Sequence, residues 1–128
     1  MKKNLLIVNA NYYNEISSGL LNSALKLIPK NSRVKVINVQ GVFEIPVTIS
    51  KNIRKFNGFI ALGCVIKGQT PHFDFISRAT TDAIMFLSIQ HAKPIANGII
   101  TCLNKNQAKK RINKGYEAAI AVKSVLHQ

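Results

Sequence analysis

The chain has 128 residues, 47% of them hydrophobic, which suffices for one domain with a substantial core and is too short for two. Its 18 Lys and Arg against 5 Asp and Glu give a net charge of +13, which favours anionic partners such as phosphorylated metabolites or nucleic acid. No apolar stretch approaches the ~20 residues that span a bilayer, which excludes a helical membrane protein. The apolar run at residues 5–8 is also too short for a signal peptide, so we expect a cytoplasmic protein.

The two cysteines support the same location. Cys64 and Cys102 lie in or just beyond apolar runs and are far apart in sequence, without the spacing of metal ligands. We therefore expect buried thiols in a reducing compartment and no metal site.

The first quarter of the chain predicts a strand and then a helix. The apolar run at residues 5–8 is typical of a buried strand. A helix follows, with Ser17 or Ser18 as its N-cap and Pro29 at its end. Its inward face repeats every four residues: Leu20, Ala24 and Ile28.

A second strand and helix follow. Residues 34–39 alternate between apolar and polar, as in a strand with one buried face. Pro46 suits the first turn of a helix, and Asn57-Gly58 ends the segment. The inward face of this helix has spacing four: Ile45, Ile49 and Ile53.

The second half of the chain repeats the alternation. Residues 59–65 are almost wholly apolar and predict a central strand, and residues 94–100 predict a fourth strand. Between them Thr70 is the expected N-cap of a helix with Pro71 at its first position. Its predicted inward residues are Phe73, Ile76, Thr80, Ala83 and Leu87. Residues 107–126 predict a last helix with an interruption at 113–115.

This order of strands and helices predicts an α/β fold. Parallel strands need crossover connections, so the four strands should form a parallel sheet with helices on both faces, a three-layer αβα sandwich in a single domain of residues 1–128. Ligands of such sheets bind beyond the carboxyl ends of the strands. The loops that follow Val8, Val39, Val65 and Ile100 are therefore the expected site.

The most informative loop is GCVIKGQTPHFDF, residues 63–75, which leads from a strand into a helix. Gly68 permits a tight turn or the close approach of a ligand to the backbone. Gln69 and Thr70 present amides and a hydroxyl at a helix N-terminus, where phosphate binds readily. His72 follows in the first turn, where it is a candidate acid or base or, considered alone, a structural residue.

Two further loops carry candidate ligand-binding residues. In GVFEIP, residues 41–46, Glu44 either caps helix amides or binds the hydroxyls of a ligand. In the loop after the first strand, Tyr12 is either a surface aromatic or a shelf for a planar ring.

Together these motifs resemble the lumazine synthase family. The family pattern is close to G-x-[FY]-E-[IL]-P followed by G-x-[VI]-[IV]-[RK]-G-x-T-x-H-[FY]-[DE], and the resemblance extends from the first strand to the last helix. It implies a flavodoxin-like fold and a condensation of 5-amino-6-ribitylaminouracil with 3,4-dihydroxy-2-butanone 4-phosphate. The products are 6,7-dimethyl-8-ribityllumazine, phosphate and water, and the family uses no cofactor.

The resemblance also implies roles for individual residues. His72 matches the proposed acid/base of the family, and the phosphate contacts match Gln69, Thr70 and Arg111. Tyr12 matches the aromatic residue that stacks on the pyrimidine. The positions that match the pyrimidine and ribityl site are Asn11, Tyr12, Phe43, Glu44, Ile45, Cys64, Val65, Ile66, Asn97 and Lys114.

The chain departs from the family pattern at four points. Lys67 replaces the commoner arginine before Gly68, and the segment between Arg111 and Lys114 is several residues shorter than in many members. Asn97 stands where many members place an aromatic contributed across the subunit interface. Leu103 replaces a usual acidic residue.

Family members form pentamers, in some cases assembled into sixty-subunit shells, with active sites between neighbouring subunits. The resemblance therefore implies a homo-oligomer. Residues 118–122 and 125–126 are apolar around more of the last helix than one sheet face could bury, which agrees with self-association.

Three other functions are compatible with part of the sequence. A non-catalytic riboflavin or lumazine binder would have no need of His72. A flavodoxin-like electron carrier would need a phosphate loop rich in Ser, Thr and Gly after the first strand, and here that loop is NANYYNE. The basic runs at residues 51–55 and 105–114 lack the interleaved aromatics of single-stranded nucleic-acid sites, so we expect no nucleic-acid partner.

Overall fold

The computed structural model describes residues 3–28 and 32–128. Four strands alternate with helices along this part of the chain, and a short 3-10 turn precedes the second helix. In chain order the elements are β1 (Asn4–Ala10), α1 (Asn14–Leu25), β2 (Arg33–Val39), the 3-10 turn (Val42–Glu44), α2 (Ile45–Lys51), β3 (Gly58–Ile66), α3 (His72–His91), β4 (Ile95–Cys102), α4 (Lys105–Lys109) and α5 (Lys114–Leu126).

The four strands form one sheet in the order β2-β1-β3-β4, with every neighbouring pair parallel. The longest pairing joins β3 to β4, from Phe59 opposite Ile95 to Ile66 opposite Cys102. This order places β1 and β3 in the centre, where both faces of a strand are covered and near-continuous apolar runs are expected. The predicted parallel α/β sheet is confirmed, and its topology is flavodoxin-like.

The sheet separates two hydrophobic clusters. Alternate residues of β3 point to opposite faces, with Ile60 and Leu62 in one cluster and Phe59 and Ala61 in the other. The first cluster contains buried residues of α1, α4 and α5, and the second contains those of the 3-10 turn, α2 and α3. Helices therefore cover both faces, which confirms the three-layer αβα sandwich.

The beginning and end of α1 differ from the prediction. The helix begins at Asn14, so Ser17 lies inside it and donates its hydroxyl to the Asn14 carbonyl at 3.0 Å. The predicted Ser17 or Ser18 cap is wrong because the chain enters the helix directly after the Tyr12-Tyr13 turn. Ile28 lies beyond the end of α1 at Leu25. Pro29, which was expected to end the helix, is outside the described residues.

The start of α3 is shifted by one residue. The helix begins at His72 with Pro71 in the preceding cap position, so neither Thr70 nor Pro71 holds its predicted place. Thr70 nevertheless accepts a hydrogen bond from the His72 amide through Oγ1 at 3.4 Å. Pro46 lies in the first turn of α2, as predicted. Among the helices of residues 3–28 and 32–128, none combines the length and hydropathy needed to cross a membrane.

A break in the last helical segment is confirmed, and it separates α4 from α5, but it lies at residues 110–113 rather than at the predicted 113–115. The start of α5 is held by α1, because the Ser23 hydroxyl accepts a hydrogen bond from the Tyr116 amide at 2.9 Å. Gly115 allows this approach. A Cβ placed on Gly115 would clash with the backbone carbonyl oxygen of Leu20.

Gly115→Ala is therefore expected to destabilise the fold by about 1–3 kcal/mol or more, because the added methyl group forces two helix backbones apart. Thermal or urea unfolding measures the effect. Gly68→Ala is the matched control, since a Cβ at that position would meet no heavy atom within 4 Å. Equal stability of the two variants would contradict the close contact between α1 and α5.

Candidate active site

A cleft of about 650 Å³ opens at the carboxyl ends of β1 and β3. Its walls come from the ends of these strands, from the loop and 3-10 turn after β2, and from the first turns of α3. The lining residues are Ala10, Tyr12, Tyr13, Gly41, Val42, Phe43, Glu44, Cys64, Val65, Ile66, His72 and Ile76. This is the edge of a parallel sheet at which ligands bind.

Close packing of the 3-10 turn on β3 shapes the cleft. A Cβ on Gly63 would lie 2.6 Å from Cγ1 of Val42, so only glycine lets the turn pack directly against the strand. Glu44 Oε1 accepts a hydrogen bond from the Gly41 amide at 3.0 Å. The carboxylate thus caps the turn and lines the cleft, so the capping interpretation of Glu44 and the ligand-binding one are compatible.

Aromatic side chains cover two sides of the cleft. Tyr12 is 74% exposed and Phe43 is 59% exposed, so both rings are available for contact with a ligand. Tyr13 packs edge-on against Tyr12, with ring centroids 4.9 Å apart and an interplanar angle of 82°. Exposed rings around a concave surface are suited to stack on a planar ligand.

His72 is the first residue of α3 and its side chain faces the cleft. The loop that leads to it is exposed, including Gln69 and Thr70. The start of this loop is attached to β4, because the Lys67 amide donates to the Cys102 carbonyl at 2.9 Å. Within residues 3–28 and 32–128, a Cβ built on Gly68 meets no heavy atom within 4 Å apart from those of Gly68 and its chain neighbours, so the backbone here is accessible to an external group.

Cys64 is a buried thiol on the β3 wall of the cleft. Burial, together with the nearby Cys102 thiol and its hydrogen bond to Cys64, raises the pKa of Cys64 to about 12. The thiolate is the reactive form of cysteine, so Cys64 should be a weak nucleophile at neutral pH.

We expect iodoacetamide to label Cys64 in the native protein at pH 8 at least ~100-fold more slowly than in the denatured chain. Because its pKa is raised, Cys64 in the folded chain keeps its proton to higher pH than in the denatured chain. The labelling rate of the native protein should therefore still rise with pH in the range where the denatured thiol is already fully ionised. Peptide mapping by mass spectrometry separates Cys64 from Cys102. Equal rates in the native and denatured chains at pH 8 would contradict the raised pKa.

A second cleft, of about 480 Å³, lies between β4 and the turn that joins α4 to α5. Its lining residues are Ile99, Ile100, Thr101, Lys110, Arg111, Asn113, Lys114 and Glu117. Arg111 donates from Nη1 to the Thr101 carbonyl at 3.3 Å, and Lys114 forms an exposed ion pair with Glu117 at 3.9 Å. Three cations around one cleft favour an anionic ligand.

Reciprocal capping of α4 positions this second cleft. Asn104 Oδ1 accepts from the Gln107 amide at 2.9 Å, and Gln107 Oε1 accepts from the Leu103 amide at 2.8 Å. The cap orients a helix of only five residues, and Arg111 comes two residues after the last residue of this helix, Lys109.

The structure divides the predicted site residues into three groups. The first cleft brings together Tyr12, Phe43, Glu44, Cys64, Val65, Ile66 and His72. The second contains Arg111 and Lys114. The residues that line neither cleft are Asn11, Ile45, Gln69, Thr70 and Asn97.

Two residues of the third group have clear structural surroundings. Ile45 is fully buried in the core beneath the 3-10 turn. Asn97 is exposed on the edge strand β4, and its Oδ1 accepts a hydrogen bond from the Ile99 amide at 2.9 Å. Gln69 and Thr70 remain beside His72 in the loop, although they are not part of the cleft wall.

Sequence analysis missed five residues of the first cleft: Ala10, Tyr13, Gly41, Val42 and Ile76. Ala10 ends β1 and Gly41 lies just after the end of β2. Because ligands bind beyond the carboxyl ends of parallel strands, both positions could have been predicted to line the cleft. Tyr13 follows Tyr12 directly, but neighbouring residues in a loop can point either way, so the sequence offers no signal that both rings line one wall.

Comparison with known proteins identifies the family of the chain. The family model described as 6,7-dimethyl-8-ribityllumazine synthase matches residues 2–128. The chain is 37% identical to the 6,7-dimethyl-8-ribityllumazine synthase of Agrobacterium fabrum over 88% of its own length and 82% of the relative. It is 36% identical to the enzyme of that name from Buchnera aphidicola, over 98% and 87% of the two chains. The chain therefore belongs to the 6,7-dimethyl-8-ribityllumazine synthase family.

Proposed function

We propose that the chain condenses 5-amino-6-ribitylaminouracil with 3,4-dihydroxy-2-butanone 4-phosphate to give 6,7-dimethyl-8-ribityllumazine, with loss of phosphate and water. The observation that carries the proposal is the position of His72 in one cleft with Tyr12, Phe43 and Glu44. This cleft combines a titratable group, planar apolar surfaces and a carboxylate, which is what the two substrates require.

The pyrimidine substrate occupies the aromatic side of the first cleft in this proposal. Tyr12 provides a surface for its planar ring, and the apolar side chains of Val65 and Ile66 also line the cleft. Glu44 Oε1 is engaged by the Gly41 amide, which leaves Oε2 to accept hydrogen bonds from ribityl hydroxyls.

His72 moves the protons of the reaction. The 5-amino group of the pyrimidine attacks the ketone, and the carbinolamine loses water to form an imine. Loss of a proton and of phosphate then gives an enol, which tautomerises to a second ketone. The ribitylamino nitrogen attacks this ketone, and loss of a second water closes the ring. Each step requires that a proton be added or removed. A side chain positioned to transfer that proton typically raises the rate roughly 10²–10⁴-fold. Holding the two substrates in contact contributes up to about 7–11 kcal/mol more.

Binding of the substrate phosphate requires a cation, and Arg111 is the candidate that the family resemblance implies. Arg111 lies in the second cleft, and the two clefts have no lining residue in common. We propose that the first cleft of one copy faces the second cleft of a neighbouring copy, so that Gln69 and Thr70 of one chain and Arg111 of the other hold the phosphate together.

Exposed apolar residues support assembly of this kind. Phe75, Met85, Phe86 and Ile89 all protrude from α3, with Phe86 63% exposed and Ile89 73% exposed. A patch of this composition on a single helix is typical of an interface. We propose a homopentamer as the basic assembly, working in the cytoplasm, where the buried free thiols Cys64 and Cys102 stay reduced.

The test is to mix the purified protein with the two substrates and to follow lumazine formation by absorbance and fluorescence, with the uncatalysed reaction beside it. Acceleration over the uncatalysed rate is expected. A well-folded oligomer that binds lumazine without accelerating the reaction would overturn the proposal in favour of a binding protein. Light scattering on the same sample measures the number of subunits.

A further inference from the structure

Tyr13 has no part in the proposed chemistry, yet it lies in the wall of the first cleft. Its ring is in edge-to-face contact with Tyr12 at a centroid distance of 4.9 Å. The two rings are held very differently: Tyr12 is 74% exposed, whereas Tyr13 is half-buried and packs against the hydrophobic cluster beneath α1 and α5.

Three contacts anchor Tyr13. Its ring packs on the core, and its carbonyl oxygen accepts a hydrogen bond from the Ser17 amide at 2.9 Å at the start of α1. Nζ of Lys105 lies over the ring, 5.9 Å from its centroid, within the range of a cation–π contact. Tyr13 is therefore an anchored ring next to an exposed one.

We infer that Tyr13 is a positioning residue, which fixes the ring plane of Tyr12 and thereby sets the affinity of the cleft for the planar pyrimidine substrate. An exposed tyrosine samples several rotamers, and only one orientation can stack on a given ligand. Apparent affinity falls in proportion to the fraction of molecules that hold the competent orientation. The inference rests on the proposed function, because it assigns the pyrimidine to the surface of Tyr12.

An edge-to-face aromatic pair is worth enough to change a rotamer population by about three- to tenfold. The contact uses the ring and not the hydroxyl group. Tyr13→Phe should therefore keep the effect, and Tyr13→Leu should remove it.

The direct measurement is binding of 6,7-dimethyl-8-ribityllumazine, followed by the change in its own fluorescence. We expect Tyr13→Leu to raise the Kd about three- to tenfold and Tyr13→Phe to stay within about twofold of the original chain. In steady-state assays the KM of the pyrimidine substrate should rise with the Kd, while the KM of the phosphorylated substrate stays unchanged. Tyr116→Leu is the matched control, since Tyr116 is also half-buried but lies on α5 and lines neither cleft.

A double-variant cycle separates positioning from general stability. If Tyr13 acts through Tyr12, Tyr13→Leu has no further effect on the Kd in a Tyr12→Leu background. Should Tyr13→Leu lose its cooperative melting transition, Tyr13→Met replaces it in the same cycle.

Additive effects of the two substitutions, or equal losses in Tyr13→Phe and Tyr13→Leu, would overturn the inference. An equal rise in the KM of both substrates would do the same. The binding titration needs no turnover, so it tests Tyr13 even if the original chain proves catalytically inactive. Absence of turnover in the original chain would instead count against the proposed function.

Discussion

His72→Ala is expected to lower kcat by about a hundredfold or more, because a positioned acid/base contributes roughly 10²–10⁴-fold. The side chain of His72 is exposed at the start of α3 and is not part of either hydrophobic cluster. The melting temperature and the oligomeric state should therefore stay unchanged. Single-turnover measurements with both substrates at saturation give the effect on the chemical step alone.

His91→Ala is the matched control, because His91 is exposed at the opposite end of the same helix. Its kcat should be that of the original chain. The role of His72 is wrong if His72→Ala turns over at the original rate, or if His91→Ala loses as much activity. Residual activity above the uncatalysed rate is expected, since the cleft still brings the two substrates together.

Arg111→Ala is expected to raise the KM of the phosphorylated substrate about 10- to 100-fold, the usual loss when a hydrogen bond to a charged group is removed. The KM of the pyrimidine should not change, because Arg111 lies in the second cleft and the aromatic surfaces lie in the first. Steady-state kinetics with each substrate varied in turn measures both values.

Lys109→Ala controls for the loss of one positive charge, since Lys109 precedes Arg111 by two residues and its ammonium pairs with exposed Glu15 at 3.8 Å. A general electrostatic effect would give both variants the same KM. An equal rise in the KM of the two substrates in Arg111→Ala would contradict a role at the phosphate.

Mixing the two variants tests whether neighbouring copies share a site. If His72 and Arg111 of different chains meet, co-assembly of His72→Ala with Arg111→Ala restores about a quarter of the sites by random pairing. If both residues act within one chain, no mixed site is complete and activity stays at the level of the separate variants. The two arrangements therefore predict different results from one sample.

The fold was largely predictable from the sequence because burial leaves a local pattern. The nearly continuous apolar run of β3 indicated a central strand, and the alternation in β2 indicated a strand with one buried face; the edge position of β2 came only from the structure. Local sequence patterns also indicated three smaller features: the approximate ends of the strands, the helix break before Lys114, and the place of Pro46 in the first turn of a helix.

Helix starts were less predictable. Ser17 is a good capping residue by type, but the chain leaves β1 and enters α1 at Asn14, so the hydroxyl bonds to a carbonyl inside the helix. The residue that caps a helix is the one that stands where the preceding loop ends. The position of that boundary is set by tertiary packing, so the sequence predicts it only to within a few residues.

The motifs by themselves determined the family and predicted a set of site residues, because these residue types stand at fixed spacings from a glycine loop and both spacings can be read in the sequence. Only the tertiary structure decided how those residues are grouped. Ile45 follows Glu44 directly, yet the 3-10 turn directs one side chain into the core and the other to the cleft. Arg111 and His72 lie in separate clefts because the sheet edge at β4 and the α4–α5 turn place them apart. Side-chain direction and the pairing of distant surfaces depend on packing between elements, which no local pattern encodes.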